Sequence, residues 1–121
     1  MSKRFLWMLF VLAAASVSAQ SVTSPSQKIK LDFQLDSHGT PTYSVNYLVY
    51  NVIEPSHLGL KLKSAESLVS GFSIEKSETR TFDEVWHPVL GEQSDIRNHY
   101  NELKVTLFQK SSERKMNLVF R

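Results

Sequence analysis

The chain has 121 residues, with fourteen basic side chains, twelve acidic ones and no cysteine. The missing thiols exclude disulfide stapling, thiolate zinc sites and a cysteine nucleophile, so packing alone must hold any fold. The length allows one small domain with a modest core.

Lys3 and Arg4 precede an unbroken apolar run over residues 5–15, followed by Ser16, Val17, Ser18 and Ala19. A charged end, a short apolar stretch and small residues at a cleavage position are the layout of a secretory signal peptide. A membrane span would need roughly 20 apolar residues, more than this run offers. Residues 1–19 are therefore expected to be a signal peptide, and the product to be exported, periplasmic or secreted, with no membrane span after cleavage. Removal of Lys3 and Arg4 leaves twelve basic against twelve acidic residues. With no basic excess to meet phosphates, a nucleic-acid partner is not expected.

Residues 20–27 form a polar lead of Ser, Thr, Pro and Gln. Strict alternation then sets in over residues 28–36, with Ile29, Leu31, Phe33 and Leu35 on one side and charged or polar residues on the other, which predicts a half-buried strand. Turn residues at 37–41 lead to Tyr43, Val45, Tyr47 and Val49, which alternate again, so the two segments are expected to form a hairpin. Leu58, Leu60 and Leu62 predict a third strand after Pro55, and residues 64–70 a loop. Phe72 and Ile74 open a strand with one solvated face running to Thr81. Leu103, Val105 and Leu107, then Met116, Leu118 and Phe120, predict two more strands around a polar turn. No amphipathic helix is apparent. The expected fold class is all-β, a sandwich or barrel of antiparallel strands. The last alternation is still running at Arg121, which leaves an apolar strand edge and suggests a chain cut short.

Chemistry-bearing groups are sparse. His38, His57, His87 and His99 are scattered without metal-ligand spacing, so no metal site is expected. Asp83 and Glu84 are adjacent and on a strand would point to opposite faces, a poor arrangement for a paired acid and base. Ser94, Asp95 and His99 match a triad only in residue type. No catalytic residue is assigned. Residues 81–103 differ from the rest, concentrating Trp86, His87, Arg97, Asn98, His99 and Tyr100 in what is expected to be an irregular stretch between strands. Such groups suit a sugar or a protein partner. They equally suit a buried aromatic corner that holds a long loop against the sheet.

Four runs in order, Gly39-Thr-Pro-Thr-Tyr43, Val52-Ile-Glu-Pro-Ser56 with Leu58-Gly-Leu60, Thr81-Phe-Asp-Glu-Val-Trp-His-Pro-Val89 with Gly91-Glu92, and Ile96-Arg-Asn-His-Tyr-Asn-Glu-Leu103, resemble the N-terminal domain of glycoside hydrolase family 97. The resemblance covers essentially all of residues 20–121. It implies a bacterial, exported α-glucosidase or α-galactosidase with an N-terminal β-supersandwich, a central (β/α)₈ barrel and a C-terminal β-domain. Residues 28–121 would then be an incomplete N-terminal β-sandwich domain, ending before the catalytic barrel, which would be its partner. Calcium is expected in the full-length parent enzyme and no cofactor in this chain. An α-linked oligosaccharide is a possible ligand, and residues 81–103 are expected to dock the sandwich on the barrel. A free-standing carbohydrate-binding sandwich and a piece without function of its own are the alternatives. The resemblance distinguishes neither glucoside from galactoside nor retention from inversion.

Overall fold

The computed structural model describes residues 19–121. The expected signal peptide, all but its last residue, lies outside the described residues. Seven strands follow one another, with no helix among the described residues. They are β1 (Gln20–Thr23), β2 (Ile29–Leu35), β3 (Pro41–Tyr47), β4 (Tyr50–His57), β5 (Phe72–Trp86), β6 (Ile96–Gln109) and β7 (Arg114–Phe120). All neighbours are antiparallel and consecutive in sequence, in a four-stranded sheet β1-β2-β3-β4 and a three-stranded sheet β5-β6-β7.

The alternation read from the sequence decides which faces meet. Phe33 from the first sheet packs with Leu103, Val105 and Leu107 from the second, and all four side chains are fully buried. Phe72 and Leu68 close one end of this core, while Leu31, Leu35, Tyr43, Met116, Leu118 and Phe120 line its margins. The Phe120 ring lies 5.8 Å from that of Phe33 and 6.5 Å from that of Tyr43. Burying side chains of this size stabilises by about 1.5–3 kcal/mol each, and it is the main force joining the sheets.

Polar bonds fasten the edges. Ser77 Oγ donates to Gln20 Oε1 at 2.8 Å, and Asn101 Nδ2 donates to the Thr23 carbonyl at 2.6 Å. Gly39 makes the tightest crossing, because the Phe72 amide donates to its carbonyl at 3.0 Å. Its φ is +69°, and a Cβ there would come within 2.7 Å of the Phe72 backbone. A side chain at this position would have to push the two sheets apart.

Three local expectations change. Residues 20–23 of the polar lead form β1, which pairs with β2 from Gln20↔Phe33 to Thr23↔Lys30. Val49 does not extend its strand: Tyr47 pairs with Tyr50 across a two-residue turn in which Leu48 takes φ +52°. Residues 58–62 are not a strand, since their ladder is a single bridge between Leu60 and Leu68 with backbone bonds of 2.9 and 2.8 Å. The third strand is β4 instead, an outer strand of its sheet that tolerates Pro55 because one row of its amides needs no partner. Buried Gln109 secures the loop ahead of β5, donating from Nε2 to the carbonyls of Ser67 and Ser70 at 3.0 and 2.9 Å. Its Oε1 accepts from the Ser112 hydroxyl, so no polar atom of this side chain is left to pay for its burial.

Candidate functional site

Most of the expected irregular stretch is β-structure, with residues 87–95 alone outside the strands. The partners of β5 and β6 run without interruption from Lys76↔Thr106 to Trp86↔Ile96, whereas β7 pairs with β6 only over residues 103–109. Residues 80–86 and 96–102 therefore leave the three-stranded sheet as a two-stranded ribbon, joined by a loop at 87–95. The ribbon's half-buried face, with Phe82, Ile96, Asn98 and Tyr100, is interrupted by the polar pair Glu84 and Asn98, so its strands lack the unbroken apolar alternation that marks a half-buried strand.

Pairing sorts the candidate residues onto two faces, because directly opposed residues share a face. One carries Phe82↔Tyr100, Glu84↔Asn98 and Trp86↔Ile96, and the other Thr81↔Asn101, Asp83↔His99 and Val85↔Arg97. Trp86, Asn98 and Tyr100 thus lie on one side, Arg97 and His99 on the other, and His87 in the loop. The six do not converge on one point.

Each face is held by its own contacts. Tyr100 stacks on Phe82 with centroids 4.9 Å apart, and the Arg121 guanidinium sits 5.3 Å above the Tyr100 ring. Asn98 Nδ2 donates to Glu84 Oε1 at 2.9 Å. On the reverse face Arg97 makes a two-pronged bond to Asp83, Nε to Oδ1 at 2.8 Å and Nη2 to Oδ2 at 2.7 Å. That bond holds the Asp83 carboxyl below the usual range and raises the Arg97 guanidinium. Thr81 Oγ1 donates to Asn101 Oδ1 at 2.8 Å. In the loop, His87 Nδ1 lies 2.6 Å from Asp95 Oδ1 and 3.3 Å from the Ser94 carbonyl oxygen. Both are acceptors, so Nδ1 carries the proton. Asp95 thus serves His87 rather than His99, and the triad conceivable from residue type does not assemble.

Beyond these contacts the tip is apolar and bare. Val85 and Trp86 are half exposed, while Val89 and Leu90 are 97% and 90% exposed. Val89 and Leu90 were not among the candidate residues, although the apolar pair between Pro88 and Gly91 was the available signal. Side-chain pairs stiffen the arm, and its end offers uncovered apolar surface, a combination that suits contact with another protein surface. Asp83 and Glu84 face opposite sides and are engaged by Arg97 and Asn98, so they do not form a catalytic pair. No group of three His, Asp or Glu side chains that could hold a metal occurs among the described residues. No helix among them is long and apolar enough to cross a membrane.

A two-sheet antiparallel domain with a projecting ribbon, on which Asp83, Glu84 and Asp95 are engaged by neighbouring side chains, is the class this chain defines. It belongs to the family described as Glycosyl-hydrolase 97 N-terminal, which matches residues 22–121. It is similar to a glycoside hydrolase family 97 enzyme from Pseudoalteromonas sp. strain K8, solved in complex with panose and with acarbose, at 26% identity and a TM-score of 0.71. That likeness covers 83% of this chain and 15% of the enzyme. A β-arabinopyranosidase shares the fold at 22% identity and a TM-score of 0.72, over 84% of this chain and 16% of that one. The chain thus spans less than one fifth of the length of the solved enzymes it matches.

Proposed function

We propose that this chain is the N-terminal β-sandwich portion of an exported glycoside hydrolase of the α-glucosidase or α-galactosidase type, and that it packs against and supports the catalytic barrel. Family membership supplies the chemistry of the parent enzyme. Panose, a trisaccharide of α-linked glucose, bound to the Pseudoalteromonas enzyme favours an α-glucoside. The observation that carries the supporting role is the ribbon, whose apolar tip at Val85, Trp86, Val89 and Leu90 is bare in this chain and held out by Asp83–Arg97 and His87–Asp95. Covering that tip would release water from apolar surface without first ordering a loop. Calcium, which the family resemblance implies for the full-length enzyme, is expected to be held by residues outside this chain.

The test uses the full-length enzyme. Leu90→Asp and Trp86→Ala are expected to lower both α-glucosidase turnover and melting temperature. His99→Ala, on the reverse face, probes whether that side also docks. If turnover and melting temperature stay unchanged in all three, the supporting role is wrong.

A second reading is favoured by the aromatic face of Phe82, Tyr100 and Trp86, with Asn98 and Glu84 beside it: a sandwich that binds an α-linked oligosaccharide by itself. Titration of the chain with maltooligosaccharides separates the two. Heat of binding that disappears in Trp86→Ala would favour the sugar-binding reading.

A further inference from the structure

The turn from β2 to β3 lies at the end of the sandwich away from the ribbon, because β5 starts there, with the Phe72 amide on the Gly39 carbonyl, and reaches the ribbon only at its other end. Beside this turn a cavity of about 530 Å³ is lined by Asp36, His57, Leu58, Lys61, Val69 and Ser70. That size falls within the roughly 300–1,000 Å³ of small-molecule sites. The walls are fixed before anything binds. Asp36 Oδ1 accepts from the Thr40 amide at 2.9 Å and from the His38 amide at 2.8 Å. These bonds, the one from Thr40 above all, hold the carboxyl below its ordinary range, so it is ionised at neutral pH. Both amides use the same oxygen, which leaves Oδ2 open to a ligand. His57 Nδ1 lies 3.2 Å from the Thr42 hydroxyl, and Nε2 is open in the same way. Lys61 enters no ion pair among the described residues. The Leu58 amide donates to the Pro41 carbonyl at 2.8 Å, and the Leu60 amide to the Leu68 carbonyl at 2.9 Å. Between them Gly59 passes so close to Leu68 that a Cβ would come within 2.9 Å of its carbonyl oxygen.

The balance of these groups selects the ligand. One carboxylate and one ammonium cancel, which leaves no excess charge to favour an anion or a cation. Asp36 accepts hydrogen bonds, Lys61 donates them, and His57 and Ser70 can do either, a mixture that suits hydroxyl groups. Leu58 and Val69 add apolar surface for C–H groups between those hydroxyls. A neutral polyol with an apolar face meets all these conditions, and a pyranose ring is such a molecule. We infer that this cavity is a binding site for a neutral sugar ring, one pyranose unit of an oligosaccharide, separate from the aromatic face of the ribbon. Asp36 and Lys61 take hydroxyls of the ring, His57 takes a third through Nε2, and Leu58 with Val69 supports its C–H face. The Asp36 turn and the Leu60–Leu68 bridge hold these walls in place, so little ordering opposes binding. The site does not depend on the docking arm, so the two can fail separately.

The test follows amide chemical shifts of the chain by NMR during titration with maltotriose, and with mannitol as an open-chain polyol that has the hydroxyls but no ring. Maltotriose is expected to shift residues 36–40, 57–61 and 69–70 along a saturating curve in the millimolar range, and mannitol to leave them in place. Lys61→Met and His57→Ala should each weaken maltotriose binding by about fivefold or more, with the melting temperature confirming that each variant is folded. Shifts confined to residues 82–100, an equal response to mannitol, no response at all, or undiminished binding by both variants would overturn the site. Any of these results would leave the supporting role to the measurements on the full-length enzyme.

Discussion

The body of the sandwich and the ribbon that leaves it are parts of the same two strands, yet they are held by different forces. In β6, Leu103, Val105 and Leu107 are fully buried against the opposite sheet, and their fit sets the stability of the domain. A few residues earlier, exposed Arg97 and half-buried Asn98 and Tyr100 are held by cross-strand partners, with Arg121 over the Tyr100 ring. Exposed pairs contribute little to global stability, so they serve shape more than folding. One strand can therefore be core at one end and solvated ribbon at the other, the division falling where β7 stops pairing.

The largest effects should come from the body. Phe33→Ala removes a fully buried ring at the centre of both sheets and is expected to cost about 3–5 kcal/mol, read as a lowered denaturant midpoint. Gly39→Ala should cost roughly 2–5 kcal/mol, because a Cβ meets the Phe72 backbone and a left-handed φ adds strain. If Gly39→Ala were neutral, the close approach of the sheets would not be a constraint. Gln109→Ala strips the anchor from the carbonyls of Ser67 and Ser70 and is expected to cost about 1–3 kcal/mol, with faster amide exchange over residues 60–70.

The ribbon should respond differently. Leu90→Ser in this chain is expected to shift stability by no more than about 0.5 kcal/mol, since the residue has almost nothing to lose. A larger loss would mean that the tip is already packed. Asp83→Asn should leave the global midpoint in place and speed exchange in residues 81–86 and 96–101 alone. Its pH dependence has a definite sign. Arg97 depresses the folded Asp83 pKa below the ordinary value of about 3.9, so the pair's contribution is present above that value and lost as pH falls through the folded one. Protection of the ribbon should therefore fall below roughly pH 4, and Asp83→Asn should abolish that dependence.

The same division explains what could be read from the sequence. Residues 29–35, 103–107 and 116–120 alternate because one face is buried, and their strands were legible, as was the all-β class. The ribbon was not legible as strand, since Glu84 and Asn98 break the apolar period of the face that carries Phe82, Trp86, Ile96 and Tyr100. The Leu48-Val49 turn lacks the Gly or Asn that usually marks a tight hairpin, so β4 was displaced to the leucines at 58–62, which alternate but have no strand to pair with. Composition singled out residues 81–103, but which side chains share a face depends on register, and register is a property of the folded pair. Sequence reasoning named Trp86 among the amphipathic groups that suit a contact surface and passed over Val89 and Leu90, which only the folded chain shows to be almost fully exposed.

Amide exchange over loop residues 87–92, measured in this chain and in the full-length enzyme under the same conditions, tests the proposed docking arm most directly. The account predicts that these amides exchange freely in the chain alone and at least about tenfold more slowly in the enzyme, where the tip would be covered. Equal exchange in both would contradict it.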